Sequence, residues 1–271
     1  MTGKSLDRYG PWALVAGGSD GLGAAFAARI AADGVNLLLA ARRPEPLEEM
    51  ADSLRRQHGV EVRTVAADLC DPAGISAIAA AGENLEIGLL VCNAGSEARF
   101  GDFLDDPDLA RTEMVVALNI LAPAALIHHF ARPMRERGRG GVLLVGSMAG
   151  FAGSPRIAAY AGAKAFVHVF AEGLWEELRP HGIDAMAFVL GGADTPTLRR
   201  SLGMAVPGLA DPTELAAEAL AQLGSGPLHV FTAKQKDSAL LRSEDRRAAV
   251  ALTAQGAAML DAIRQRAAGS A

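Results

Sequence analysis

Short apolar runs alternate with amphipathic stretches along most of the chain. Trp12–Ala16 is an apolar run followed by glycines, and Val35–Ala40 is an apolar run interrupted by Asn36 alone. Runs of this length suit strands covered on both faces by helices. Val60–Ala66, Ile87–Cys92, Gly141–Val145, Ile183–Leu190 and Leu228–Thr232 read as further strands. Between and after them, Ala24–Ala32, Pro44–His58, Pro72–Ala81, Asp105–Arg137, Ile157–Leu178, Pro212–Leu223 and Arg246–Arg266 carry helical patterns. Asp71 stands where it can cap the Pro72 helix, with proline at the first helical position. The alternation predicts an α/β fold with a doubly wound, seven-stranded parallel sheet. With no internal repeat and no low-complexity linker, residues 1–271 read as a single domain. The stretch of about 195–210, with Pro196 and Pro207, breaks the rhythm and reads as a lid. Residues 236–271 read as a C-terminal helical extension.

Composition narrows the class. Half of the residues are hydrophobic but only 5% are aromatic, so Ala, Val, Leu and Ile must build the core. A net charge of −5 provides no basic footprint for nucleic acid. Cys70 and Cys92 have no CxxC partner, which points to a reducing compartment rather than a disulfide framework. His128 and His129 are adjacent and cannot share a helix face, and no HExxH stands elsewhere, so no metal is expected. The opening MTGKSLDRYG does not read as a secretory signal. The richest apolar stretch, Val115–Ile127, is interrupted by Asn119 and Pro123 and falls short of the ~18 residues a membrane span needs. The expectation is a cytoplasmic protein without nucleic-acid or membrane partners.

Candidate chemistry begins after the first strand, where Gly17, Gly18, Ser19, Asp20, Gly21, Leu22 and Gly23 open the first helix. A turn of this kind gathers backbone N–H groups at a helix N-terminus, which favours a pyrophosphate. Glycines serve where backbone must approach the phosphates and where helix meets strand. The spacing is GxxxGxG, and its place between strand and helix predicts a Rossmann-type dinucleotide site. After the second strand, an NAD site usually holds an acidic residue for the ribose hydroxyls; here Ala41 is followed by Arg42 and Arg43. Guanidinium forks match phosphate oxygens, so an adenosine 2′-phosphate, and hence NADP(H), is favoured.

Tyr160 and Lys164 stand four residues apart, one turn along a helix face. A phenol is a poor acid or base at neutral pH, and a nearby ammonium favours its phenolate. The pair can then exchange a proton with an alcohol or ketone oxygen. Ser147, thirteen residues upstream, can hydrogen-bond that same oxygen. Asn119 admits a separate argument: Pro123 has no N–H, so the Asn119 carbonyl is expected to be freed within a kinked helix, where it can hold a water.

Gly17, Gly21 and Gly23, Asp68-Leu69, Cys92-Asn93-Ala94-Gly95, Asn119, Ser147, Tyr160 and Lys164 follow one another in an order and spacing that resembles the short-chain dehydrogenase/reductase family over about residues 10–235. The opening Tyr9-Gly10-Pro11-Trp12-Ala13-Leu14-Val15 and Ser19-Asp20-Gly21-Leu22-Gly23 look most similar to the branch of 17β-hydroxysteroid dehydrogenases and 3-ketoacyl reductases. The resemblance implies that Tyr160 is the general acid/base and that Lys164 lowers its pKa and binds the nicotinamide ribose. It implies that Ser147 positions the carbonyl and that Asn119 joins a water-mediated proton relay to the lysine. Asp68 and Leu69 would meet the adenine, Asn93, Ala94 and Gly95 would line the cofactor groove, and Gly192 and Thr195 would border the nicotinamide. Ala16, Ala163 and Gly191 depart from the family's usual Thr, Ser and Pro, and the missing proline loosens the case for the nicotinamide contact.

The implied activity is NADP(H)-dependent interconversion of a small-molecule carbonyl compound and its alcohol, with a hydrophobic substrate. A nucleotide-binding sensor or scaffold without turnover is the alternative, and an enzyme using NAD(H) is a third reading. Met148, Phe151, Leu198 and Leu202 are candidates either for a substrate pocket or for ordinary packing. By resemblance, a homodimer or homotetramer would form through the long helices around 107–137 and 155–180.

Overall fold

The apolar runs pair with one another because a strand buried on both faces can satisfy its backbone only through neighbouring strands. The computed structural model describes residues 6–95, 101–106, 108–196, 198–199 and 208–268. Seven strands, β1 (Trp12–Ala16), β2 (Asn36–Ala41), β3 (Val62–Ala66), β4 (Ile87–Cys92), β5 (Gly140–Ser147), β6 (Ile183–Leu190) and β7 (Leu228–Val230), form one sheet in the order β3-β2-β1-β4-β5-β6-β7. Every pairing is parallel. The order reverses between β1 and β4, and ligands of such sheets bind at the carboxyl ends of the strands beside that reversal. Ala16 pairs there with Cys92, and Ser147 with Leu190 on the same edge.

Alternate residues of each strand feed two cores. Ala13, Val15, Leu37 and Leu39 face α1 (Gly21–Ala32), α2 (Pro44–His58) and, from later in the chain, α7 (Pro212–Gln222), through Phe26, Ile30, Leu54 and Leu215. Leu14, Leu38, Leu90 and Leu144 face the opposite layer, where α3 is Pro72–Gly82, α4 Ala110–Val116, α5 Ala122–Arg137 and α6 Ala158–Leu178. That layer contributes Ile78, Phe130 and Val167. The expected fold class is therefore what is found, with strand ends shifted by a residue or two.

Three local readings differ. The stretch expected as one helix over Asp105–Arg137 is a 3-10 turn at Phe103–Asp105, then α4, a π turn at Ala117–Leu121, and α5. The helical run Ala110–Arg137 is also long and apolar enough to cross a membrane by length and composition, which reading the sequence only as far as Asn119 and Pro123 did not anticipate. In this fold it is a core helix, with Leu126, Ile127, Phe130 and Met134 buried against the sheet. Finally, the extension expected as helical over 236–271 is two helices, α8 (Ala233–Glu244) and α9 (Arg246–Ala268), of which only the second had been given bounds of its own. The first turns of α8, Ala233-Lys234-Gln235-Lys236-Asp237-Ser238, show little apolar periodicity; among its described side chains Ala239 is the buried one, against Met148, Val189 and Val230. The stretch read as a lid falls largely outside the described residues.

The opposite edge of the sheet is pinned by the chain's other tyrosine. Tyr9 lies in a 3-10 turn, Leu6–Tyr9, and its buried hydroxyl donates to Asp184 Oδ2 at 3.0 Å and accepts from Arg8 Nη2. The turn fits because Gly88 and Gly141 have no side chains: a β-carbon on Gly88 would fall 1.2 Å from Tyr9 O. Tyr9→Phe should therefore destabilise the fold by about 1–2 kcal/mol in denaturant titrations, through the lost hydrogen bond alone. Ligand binding at the far edge should be unaffected.

Candidate active site

The glycine turn closes on itself by steric necessity. Gly17 has φ +89°, and its N–H donates to Ala40 O at 2.8 Å. A β-carbon there would lie 2.9 Å from Ala94 N, and one on Gly23 would lie 1.8 Å from Gly17 O. Asn93 Nδ2 donates to Gly17 O at 3.0 Å, so the β4 end and the turn are tied together. Asp20 is extended, and its Oδ1 accepts from Gly21 N at 2.8 Å, capping α1. Gly21 (φ +54°) faces Thr195, whose side chain would meet a β-carbon at 3.0 Å. Thr195 Oγ1 in turn accepts from Leu198 N at 3.2 Å. Ser19 is half-buried in the turn. Gly192 O accepts from Ala210 N at 3.2 Å, and its missing side chain makes room for Leu209. These residues fit a dinucleotide phosphate group: backbone without obstructing side chains faces the N-terminus of α1.

Two predicted cofactor residues offer backbone only. Leu22 and Leu69 are buried in the two cores. Asp68 is occupied in its own turn, where Oδ1 accepts from Cys70 N at 2.9 Å. The two arginines diverge. Arg43 Nη2 lies 3.6 Å from Asp20 Oδ2, whereas Arg42 is exposed on the side of Cys70 and Asp68, close enough for its charge to act on the Cys70 thiol.

The candidate catalytic residues converge beyond the ends of β4 and β5. Pro123 supplies no N–H, and the helix responds by widening, with Ala122 N–H donating to Ala117 O across five residues. The expected disturbance thus takes the form of a π turn. It carries Asn119, which is 2% exposed and donates through Nδ2 to Val115 O at 2.9 Å. Asn119 Oδ1 has no hydrogen-bond partner among the described residues. Gly95, at φ +149°, lets Asn119 and Lys164 approach its backbone closely: a β-carbon would stand 2.5 Å from Asn119 Oδ1 and 3.1 Å from Lys164 Nζ.

Lys164 is buried, donates to Val145 O at 2.8 Å, and holds its ammonium 5.6 Å from the centre of the half-buried Tyr160 ring. Desolvation lowers its pKa to about 8, with the buried Cys92 thiol opposing the shift. Ser147 ends β5, and its Oγ accepts from Ala149 N at 3.2 Å, capping a 3-10 turn over Met148–Phe151. A small cleft beside Tyr160 is lined by Phe103, Arg111, Thr112 and Ile157.

Met148 and Phe151, offered as pocket or packing residues, pack. Met148 lies with Val189, Val230 and Ala239, and Phe151 meets His168 at 4.7 Å between ring centres. Leu198 is half-buried, and Leu202 lies outside the described residues. From outside, Arg246 donates to Phe151 O, and Thr253 Oγ1 donates to Gly153 O at 2.7 Å. The sequence reading passed over His168; the available signal was its place one turn beyond Lys164 on the same face of α6.

Comparison with known proteins agrees with this arrangement. The family model for short chain dehydrogenase matches residues 11–204. A 7beta-hydroxysteroid dehydrogenase of Collinsella aerofaciens is 33% identical over 86% of this chain and 90% of its own length. A very-long-chain 3-oxoacyl-CoA reductase of Anas platyrhynchos is 36% identical over 64% of this chain and 57% of its own. A solved short-chain dehydrogenase from Sphingobium yanoikuyae, in complex with NADPH, superposes with a TM-score of 0.77 at 31% identity, covering 88% of this chain and 97% of that one. The chain belongs to the short-chain dehydrogenase/reductase family of oxidoreductases, in the branch of hydroxysteroid dehydrogenases and ketoacyl reductases.

Proposed function

We propose that this chain is an NADP(H)-dependent oxidoreductase that interconverts a hydrophobic ketone and its alcohol, with Tyr160 as general acid/base. The observation that carries the reading is the buried Lys164 ammonium, 5.6 Å from the Tyr160 ring and so close to Gly95 that a β-carbon there would stand 3.1 Å from it. When bound, a nicotinamide supplies or takes up the hydride. In the reducing direction the Tyr160 hydroxyl gives its proton to the carbonyl oxygen, and Ser147 Oγ hydrogen-bonds that oxygen. The Lys164 charge stabilises the phenolate left behind. Asn119, next to Lys164 across Gly95, is the following polar group on a path that returns the proton.

The cofactor preference rests on Arg42, because Arg43 is drawn toward Asp20. The NADPH-bound relative supports the same preference. The name of the Collinsella relative supports a steroid-sized apolar ketone. Exposed Leu121, Phe166 and Val169 on the two long helical stretches support a homodimer or homotetramer.

The test is NADPH consumption with a 7-oxosteroid, a long-chain 3-oxoacyl thioester and a bulky aryl ketone as probes. Tyr160→Phe should lower kcat by about 100-fold or more while NADPH binding persists. Unchanged turnover removes Tyr160 from the chemistry, and tight NADPH binding without turnover of any probe favours the sensor reading. Arg42→Ala should weaken NADPH binding by roughly 10- to 100-fold, the worth of a charge-assisted contact, and leave NADH binding alone. Arg43→Ala should do less; equal losses in the two variants overturn the division between them.

The pH profile follows from Lys164. Above its pKa of about 8 the side chain is neutral and no longer favours the phenolate. Reduction also requires Tyr160 in its protonated form, so both groups act in the same direction. Expected kcat/KM for reduction is flat below pH 8 and falls above it. A profile that rises through this range contradicts the assignment.

A further inference from the structure

Tyr160, Lys164 and His168 succeed one another at four-residue steps along α6, so their side chains share one face. The first two belong to the proposed chemistry. His168 is 5% exposed, and the chain from Gly146 to Phe151 is wrapped around its ring. A β-carbon on Gly150 would stand 2.5 Å from His168 Cε1, and one on Gly146 would stand 3.1 Å from Nε2. Phe151 closes the ring from a third side, its centre 4.7 Å away. The same six residues hold Ser147 and the 3-10 turn it caps.

The imidazole hydrogen-bonds the Ser147 backbone, and its Nε2 has no partner among the described residues. Burial and the Lys164 charge push its pKa down to about 4, so the ring is neutral and has one N–H to give. With Nε2 facing the Gly146 side unpartnered, that N–H is on Nδ1. A buried nitrogen without a partner costs stability. Neighbours on the buried face of α6, Ala161, Val167 and Ala171, are apolar, and a leucine here would avoid the cost. A polar ring kept at such a place is a local rule broken near a site, and breaches of this kind cluster where function requires them.

We propose that His168 is a positioning residue, whose Nδ1–H holds the Ser147 carbonyl and thereby aims Ser147 Oγ at the substrate oxygen. The second half of this statement rests on the function proposed for Ser147; the hold on its backbone does not. Glycine at 146 and 150 is then part of the same device, because any larger residue would displace the ring.

Three variants and one spectrum decide it. An asparagine at this place carries its amide nitrogen where Nδ1 stands, a glutamine carries its own near Nε2, and a leucine carries neither. His168→Leu should melt close to the parent, because relief of the unpartnered Nε2 offsets the lost bond to the Ser147 backbone, yet lose protection of the Ala149 amide, which donates to Ser147 Oγ. With NADPH and the 7-oxosteroid probe its kcat should fall by roughly 10- to 100-fold, the usual scale for misplacing a group in a site, with NADPH affinity unchanged. His168→Asn should restore both the protection and kcat, and His168→Gln neither.

Long-range proton–nitrogen spectra of the unaltered protein should show the Nδ1–H tautomer, which needs no substrate. An Nε2–H tautomer, a leucine variant with intact Ala149 protection, or a common fall of melting temperature, NADPH affinity and kcat would each overturn the proposal. Ser147→Ala separates the two readings: if it keeps full kcat, the role of Ser147 fails, while tautomer and amide exchange still decide the hold of His168.

Discussion

A lysine ammonium has to be kept out of water at the carboxyl edge of the sheet, and much of the site is arranged around that requirement. Removing the charge from solvent is unfavourable unless polar groups replace the water. Val145 O does so directly, at 2.8 Å. It can, because β5 continues three residues past Leu144, the last residue paired with β4, and its carbonyls there turn toward α6. The π turn brings Asn119 to the other side, and Gly95 keeps the intervening space clear of carbon. The ammonium remains only partly compensated, which is why it is the more acidic for a lysine. Partial compensation suits the proposed proton chemistry, because a fully paired lysine would have little field left for the phenol nearby.

The same edge is assembled from missing side chains as much as from present ones. Gly17, Gly23 and Gly95 each lie where a β-carbon would strike backbone or a buried polar group. Close approach lets Asn93 reach Gly17 O, which couples the end of β4 to the turn after β1. The reversal of strand order between those two strands opens the crevice, and the glycines keep it open. Asp20 adds a cap to α1 and a counter-charge for Arg43, so one carboxylate orders both the turn and the start of α2.

Legibility of these features in the sequence follows their physical range. The strands and their parallel arrangement could be read because burial on both faces leaves an unbroken apolar run, as in Leu37–Ala40. Tyr160 and Lys164 could be read because helical spacing is local. Pro123 announced a disturbed helix, expected as a kink and found as a π turn; which of the two forms depends on packing against α6, which local sequence does not encode. The divergence of Arg42 and Arg43 was equally hidden, since it is set by Asp20, more than twenty residues away. The bounds of helix α8 within the helical extension went unread, because a largely polar helix has almost no apolar period. His168 went unseen for a related reason: a histidine among apolar neighbours resembles a tolerated core residue until the glycines facing it are located.

The turn after β5 therefore stands between two supports of different kinds. On its inner side a single ring fills the room left by Gly146 and Gly150. On its outer side α9 holds carbonyls of Phe151 and Gly153 through Arg246 and Thr253, while α8 covers Met148. The outer contacts are exposed and can open at small cost, whereas the inner ring cannot leave without unpacking α6 from the sheet. Ser147 lies at the junction, on the last residue of a paired strand and the first of a turn. Its backbone is consequently rigid on the strand side, and the freedom that remains belongs to the segment beyond it. Any shift of the C-terminal helices is thus felt first at the Phe151 and Gly153 carbonyls, and the strand end at Ser147 is held independently of them.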